Sequence, residues 1–223
     1  MTDDPGTPGS GRWEINVASE FERRGDETYT ALPLLDFNYG LGERLQFKYE
    51  VPWLIEHEES GTGKRSGLGN SEVGLKWRFL DGGDAGYAVS VYPQVEFNNP
   101  GSSSDERGLA DRGTTWVLPL QVQRTMGEVD YNAELGRTVG DGADEWFLGL
   151  AASRPVHEQF EIAGEVVCTT SAGLHDAAVM LNVGARATLG VHTVLLISAG
   201  QEVRNDFQPN ARVHVYLAIQ VLL

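Results

Sequence analysis

Glu43–Glu56 reads ERLQFKYEVPWLIE, and in it Leu45, Phe47, Tyr49, Val51, Trp53 and Ile55 alternate with Arg44, Gln46, Lys48, Glu50, Pro52, Leu54 and Glu56. A period of two sustained over that length is a β-strand with one apolar and one polar face. It is also long, since strands of soluble proteins usually run about five or six residues. The pattern repeats over 12–22, 70–80 and 86–98, and more weakly over 29–39, 114–123, 128–139, 145–153, 158–169, 177–188, 193–202 and 211–223. The sum is about twelve strands, and an even number is what single-chain bacterial barrels require.

The connections alternate as well. Gly40–Gly42, Asp81–Asp84, Thr125–Gly127, Arg154–Val156 and Leu189–Val191 are tight, whereas 57–69, 99–113 and 203–210 are long and polar. Short turns on one rim and long loops on the other are the pattern of an outer-membrane barrel, with both chain ends on the short-turn side. Trp13, Tyr29, Tyr39, Trp53, Trp77, Phe79, Tyr87, Phe97, Trp116 and Trp146 stand near strand ends on the apolar face. Amphipathic rings there match the two aromatic girdles of a membrane barrel. Val213, Val215, Leu217, Ile219, Val221 and Leu223 hold every second position to the last residue, like the assembly signal of such barrels, although Leu stands where Phe is common.

Composition agrees. The chain has 223 residues, 27 glycines and a formal charge of −15, and no apolar run long enough for a spanning helix. Such acidity excludes binding to nucleic acid by phosphate neutralisation. A single cysteine, Cys168, excludes an intrachain disulfide. The opening MTDDPGTPGSG has neither a basic nor an apolar signal-peptide region. An exported chain needs one, so the expectation is a mature form given a start methionine or a start assigned too late. Residues 1–11 read as an N-terminal periplasmic extension and 12–223 as one barrel domain.

The expected fold is therefore all-β, a transmembrane antiparallel up-and-down barrel of about twelve strands. Alternation alone does not say which face is inside, so a soluble ligand-binding β-protein is the competing architecture. Strand length, even count, loop asymmetry and aromatic ends favour the membrane.

Three stretches, TDDPGTPGSGRWEIN, LPLLDFNYGLGERLQFKYEVPW and GLGNSEVGLKWRFL, resemble the outer-membrane channel family assigned to the meta-pathway of phenol degradation. The likeness covers about the first third of the chain. It implies a channel or transporter for hydrophobic or aromatic compounds, and carries no defined set of functional residues.

With the apolar face toward lipid, Arg44, Lys48, Glu50, Glu72, Lys76, Arg78, Glu96, Glu134, Glu161, Glu165, Arg186 and Arg212 line the lumen, together with Glu14, Glu20, Asp36 and Asp130. Arg44, Lys48, Lys76 and Arg78 are expected to meet Glu50 and Glu72 across adjacent strands. Such groups either form an ion-paired wall or shape permeation. Loops 57–69 and 99–113 are candidates to fold inward and gate the lumen.

No cofactor or metal site is read. Gly61–Lys64 lacks the spacing of a phosphate loop, the five histidines are scattered, and no nucleophile elbow exists. A lipid hydrolase would need a serine and a histidine together near a rim, facing lipid; Ser90 and Ser153 point inward on this register, and no histidine is placed beside Ser71. The expected partners are membrane lipid and a small-molecule solute. The reading is a channel rather than an enzyme, with a non-conducting structural or adhesive barrel as its alternative.

Overall fold

The computed structural model describes residues 2–58, 63–141, 143–208 and 210–223. Among the described residues, fourteen strand segments form one antiparallel sheet that closes on itself. They are β1 (Trp13–Arg24), β2 (Glu27–Gly40), β3 (Leu45–Glu58), β4 (Lys64–Leu68), β5 (Ser71–Asp81), β6 (Tyr87–Val91), β7 (Gln94–Phe97), β8 (Thr114–Met126), β9 (Val129–Gly140), β10 (Ala143–His157), β11 (Phe160–Ser171), β12 (Ala177–Gly190), β13 (Thr193–Asn205) and β14 (Arg212–Leu222). Closure is the pairing of β1 with β14, from Glu14 opposite Leu222 to Arg24 opposite Arg212.

Two pairs of segments are single staves with a break, so fourteen segments make twelve staves. β4 and β5 both pair with β3, and β6 and β7 both pair with β5 and β8. The second break falls at Tyr92–Pro93, where proline has no N–H to give the ladder.

The faces sort as hydrocarbon demands. Trp77 is 52% exposed and Leu150 50% exposed on the outside, whereas Gln121 and Lys76 inside are 0% and 3% exposed. A soluble protein does the reverse, and an apolar surface running round a closed sheet is satisfied only by lipid. Closure also leaves no unpaired strand edge facing the bilayer. Trp13 and Phe21, toward opposite ends of β1, are separated by roughly 20 Å along the barrel axis at ~3.4 Å per residue and ~40° of tilt, close to the height of a barrel's apolar band.

Three expectations change. Tyr29 does not join the outer girdle, because a register shift between Ala31 and Leu34, containing Pro33, inserts an extra residue and turns the end of β2 over. The long loop 57–69 is largely strand, since His57 pairs with Lys64 and Glu56 with Arg65. Beyond the lipid both faces of a stave meet water, so KRSGL needs no alternation to pair. Residues 59–62 of that loop, including Gly61 and Thr62, lie outside the described residues. Likewise β13 runs on to Asn205, shortening the loop expected at 203–210, of which Pro209 lies outside the described residues.

Candidate functional site

The lumen is the candidate site, and the chain fills it from both ends. At the short-turn rim Gly11 N–H donates to Gly40 O, and a Cβ on Gly40 would lie 1.8 Å from Gly9 O, so only glycine lets the N-terminal segment turn inward here. Thr7 Oγ1 donates to Glu43 O, and Pro5 is fully buried. Residues 2–4 then cross the lumen. Lys76 Nζ, on β5, lies 2.7 Å from Asp3 Oδ2 and 2.7 Å from Asp4 O. Asp3 N–H donates to Glu134 on β9 at 3.1 Å, and Thr2 N–H to Glu165 on β11. Residues 2–9 thus run inside the barrel, rather than extending away from it as expected of 1–11. A Gly/Pro/Asp segment has no alternating face and cannot become a stave, but its small residues and backbone amides fit a polar lumen. Burial raises the Asp3 carboxyl, and the Lys76 charge and hydrogen bond more than offset this, leaving it below the usual carboxylate range.

A belt of polar side chains rings this segment. Lys48 Nζ sits 2.7 Å from Glu72 and 3.0 Å from Glu50. The register explains the triad: Glu50 faces Glu72, and Lys48 faces Gly74, so the ammonium reaches Glu72 diagonally across the pair and Glu50 two residues along its own strand. A Cβ on Gly74 would come within 2.9 Å of the Tyr92 ring and 3.5 Å of Lys48 Cβ. Gln46 donates to Asn38 at 2.6 Å and to Tyr92 OH at 3.4 Å, Asn16 and Asn38 both donate to Asp36, and Lys76 Nζ lies 4.6 Å from the Tyr92 ring centroid. Gln121 receives Ser90 and donates to Glu134 at 2.9 Å and to Asp3 at 3.2 Å. A cavity of about 580 Å³ remains among these groups.

At the long-loop rim, residues 98–113 fold inward. Leu109 is 1% exposed, and its carbonyl accepts from Tyr29 OH. Asn70 and Asn98 donate to Asp111 O at 3.0 and 2.6 Å, and Arg107 donates to Ser66 O. Ala110 packs with Tyr29, Leu196 and Tyr216 against Ala18, Ala31, Leu34, Leu54 and Ala218, an apolar patch inside the barrel. Cavities of about 630 and 200 Å³ flank Ala110 and Asp111.

Of the residues placed in the lumen from sequence, Lys48, Glu50 and Glu72 meet one another, and Lys76, Glu134 and Glu165 meet the N-terminal segment. Glu96 accepts from Asn70. Glu161 lies opposite Arg186, which donates to Gln220 at 3.5 Å. Arg212 pairs with Glu22 at 3.0 Å and Glu202 at 3.4 Å. Arg44 and Arg78 differ from expectation. Arg44 is exposed in the turn before β3, and Arg78 donates to Glu43 O and pairs with Asp81 at the rim. Neither they nor Lys76 pair with Glu50 or Glu72, since residues four apart on a strand are roughly 13 Å apart. Sequence reading missed Asp3, Tyr92, Gln121 and Tyr29. Gln121 shares its stave's inward parity, but Tyr92 hides as an aromatic and Asp3 lies off every strand.

Glu20, Glu22 and His214 bring ligand-type atoms within 4.8 Å of one another, but His214 already bonds Glu20 at 2.7 Å and Arg212 holds Glu22. This is an ion-paired cluster. Ser71 bonds Tyr49 and Asn99, and Ser90 bonds Gln121, so their partners are not histidines.

No protein-family model matches the chain. No curated protein matches it either. Solved structures do. The COG4313 outer membrane channel from Pseudomonas putida F1 superposes with a TM-score of 0.76 at 14% identity, covering 100% of this chain and 99% of that one. The NanC porin gives 0.67 at 7% identity over 93% and 98%. The CymD monoaromatic hydrocarbon channel gives 0.52 at 7% identity over 96% and 88%. At such identities the likeness is one of fold, and the fold of this chain is that of outer-membrane β-barrels.

Proposed function

We propose that this chain is an outer-membrane channel for small, hydrophobic or aromatic solutes. The observation that carries the reading is that the lipid-facing closed sheet encloses cavities of about 580, 630 and 200 Å³, bordered by residues of two segments, 2–9 and 98–113, that belong to no strand. Segments outside the sheet can move without breaking its ladder. The hydrophobic preference is supported by the apolar patch of Leu34, Leu54, Ala110 and Leu196 inside the lumen, by the family resemblance of the first third, and by the name of the monoaromatic hydrocarbon channel that shares the fold.

Purified protein in planar bilayers should give discrete current steps. In cells relying on this protein alone for outer-membrane passage, it should speed uptake of a monoaromatic hydrocarbon over that of a sugar of similar size. No current under any voltage, with no acceleration of uptake, would leave the non-conducting barrel as the reading. Preference for the sugar would remove the hydrophobic part alone.

A further inference from the structure

The two cavities at the long-loop rim share a wall made by Ala110 and Asp111 of the inward loop, and by Tyr29. Their charge is one-sided. The outer chamber is bordered by Glu22, Glu27, Glu56 and Asp111 against the single guanidinium of Arg24. The inner chamber is bordered by Glu50, Glu72, Glu96 and Asp111, with no cationic residue in its wall. Some of this charge is compensated from behind, by Lys48 on Glu50 and Glu72, Arg65 on Glu56 and Arg212 on Glu22. Among the described residues Glu27, Glu96 and Asp111 take part in no ion pair. Asp111 borders both chambers, and its backbone carbonyl receives both Asn70 and Asn98, which anchors the residue in the wall they share.

We infer that this path selects by charge, passing small inorganic and organic cations in preference to anions, with Asp111 as the specificity-determining residue. The inference rests on the channel reading above. Uncompensated carboxylates on low-dielectric walls concentrate counter-ions in the opening between them. Screening length is ~10 Å at 0.1 M salt and ~3 Å at 1 M, so the preference fades as salt is raised. A neutral hydrocarbon is indifferent to this field, whereas an aromatic or alkyl ammonium is drawn in and a carboxylate is turned back.

The test is the reversal potential of the full chain in planar bilayers under a KCl gradient, for the wild type and for Lys76→Met, which frees the N-terminal segment. At about 0.1 M salt, potassium is expected to permeate roughly fivefold better than chloride. Asp111→Asn should lower that ratio about twofold, and Asp111→Lys should bring it to one or below. An Asp111→Lys channel that conducts with an unchanged ratio overturns the role of Asp111. A conducting wild type with a ratio of one or less overturns the charge preference but leaves the channel reading intact. Absence of current from both the wild type and Lys76→Met removes the channel reading, and this inference with it.

Discussion

The two ends of the lumen are filled by different physics. At the short-turn end a buried ammonium, Lys76, grips the N-terminal segment through Asp3 and Asp4, with Glu134 and Glu165 taking backbone amides. At the long-loop end, the loop is held by neutral donors to its carbonyls, from Tyr29 to Leu109 and from Asn70 and Asn98 to Asp111, by the non-titrating guanidinium groups of Arg65 on Arg107 O and of Arg107 on Ser66 O, and by packing of Leu109 and Ala110. The first grip depends on charge and so on pH. The second depends on shape and burial. In the proposed channel a solute would meet two obstacles that respond to different conditions.

The largest effect expected is from Lys76→Met. It leaves Asp3 without its cation and frees the segment by about 1–2 kcal/mol, a roughly tenfold rise in open probability. Single-channel recording checks it, and an unchanged open probability would show that the segment is held by something else. Next comes Tyr29→Phe, which strands the Leu109 carbonyl at a cost of about 1 kcal/mol. Hydrogen exchange should rise about fivefold in residues 98–113 and stay level in residues 2–9. Equal changes in both would mean that the two ends are mechanically one unit.

Acid is the smaller lever. The Asp3 carboxyl lies below its ordinary value in the folded protein, so its pair with Lys76 stabilises the closed segment above the usual carboxylate range of about 4 and loses that contribution as pH falls through it. Open probability should climb as pH drops below about 4 in the wild type, and show no such climb in Lys76→Met. An identical acid response in both would place the titrating group elsewhere.

These contrasts also mark how far the sequence was legible. The staves could be read because lipid on one side and polar lumen on the other impose a period of two, and Lys48 with its acidic partners followed from adjacency of β3 and β5. Tyr29 could not, because one inserted residue at Ala31–Leu34 inverts the face of everything beyond it. Nor could residues 2–9, whose partners lie on β5, β9 and β11, a pairing set by three-dimensional closure rather than by any local pattern. Arg44 and Arg78 carry the right parity, but Arg44 stands in the turn before β3 and Arg78, opposite Ser90 near the rim, turns to Glu43 O and Asp81, partners that alternation along one strand does not reveal.

Which face meets lipid decides the architecture, and the protein carries its own probe. All five tryptophans, Trp13, Trp53, Trp77, Trp116 and Trp146, stand on the outer face. Reconstitution into vesicles whose acyl chains carry bromine should quench most of the intrinsic tryptophan fluorescence relative to unbrominated vesicles. Fluorescence unchanged by brominated lipid would mean that the indoles lie inside the molecule, and the inside-out barrel would have to be abandoned.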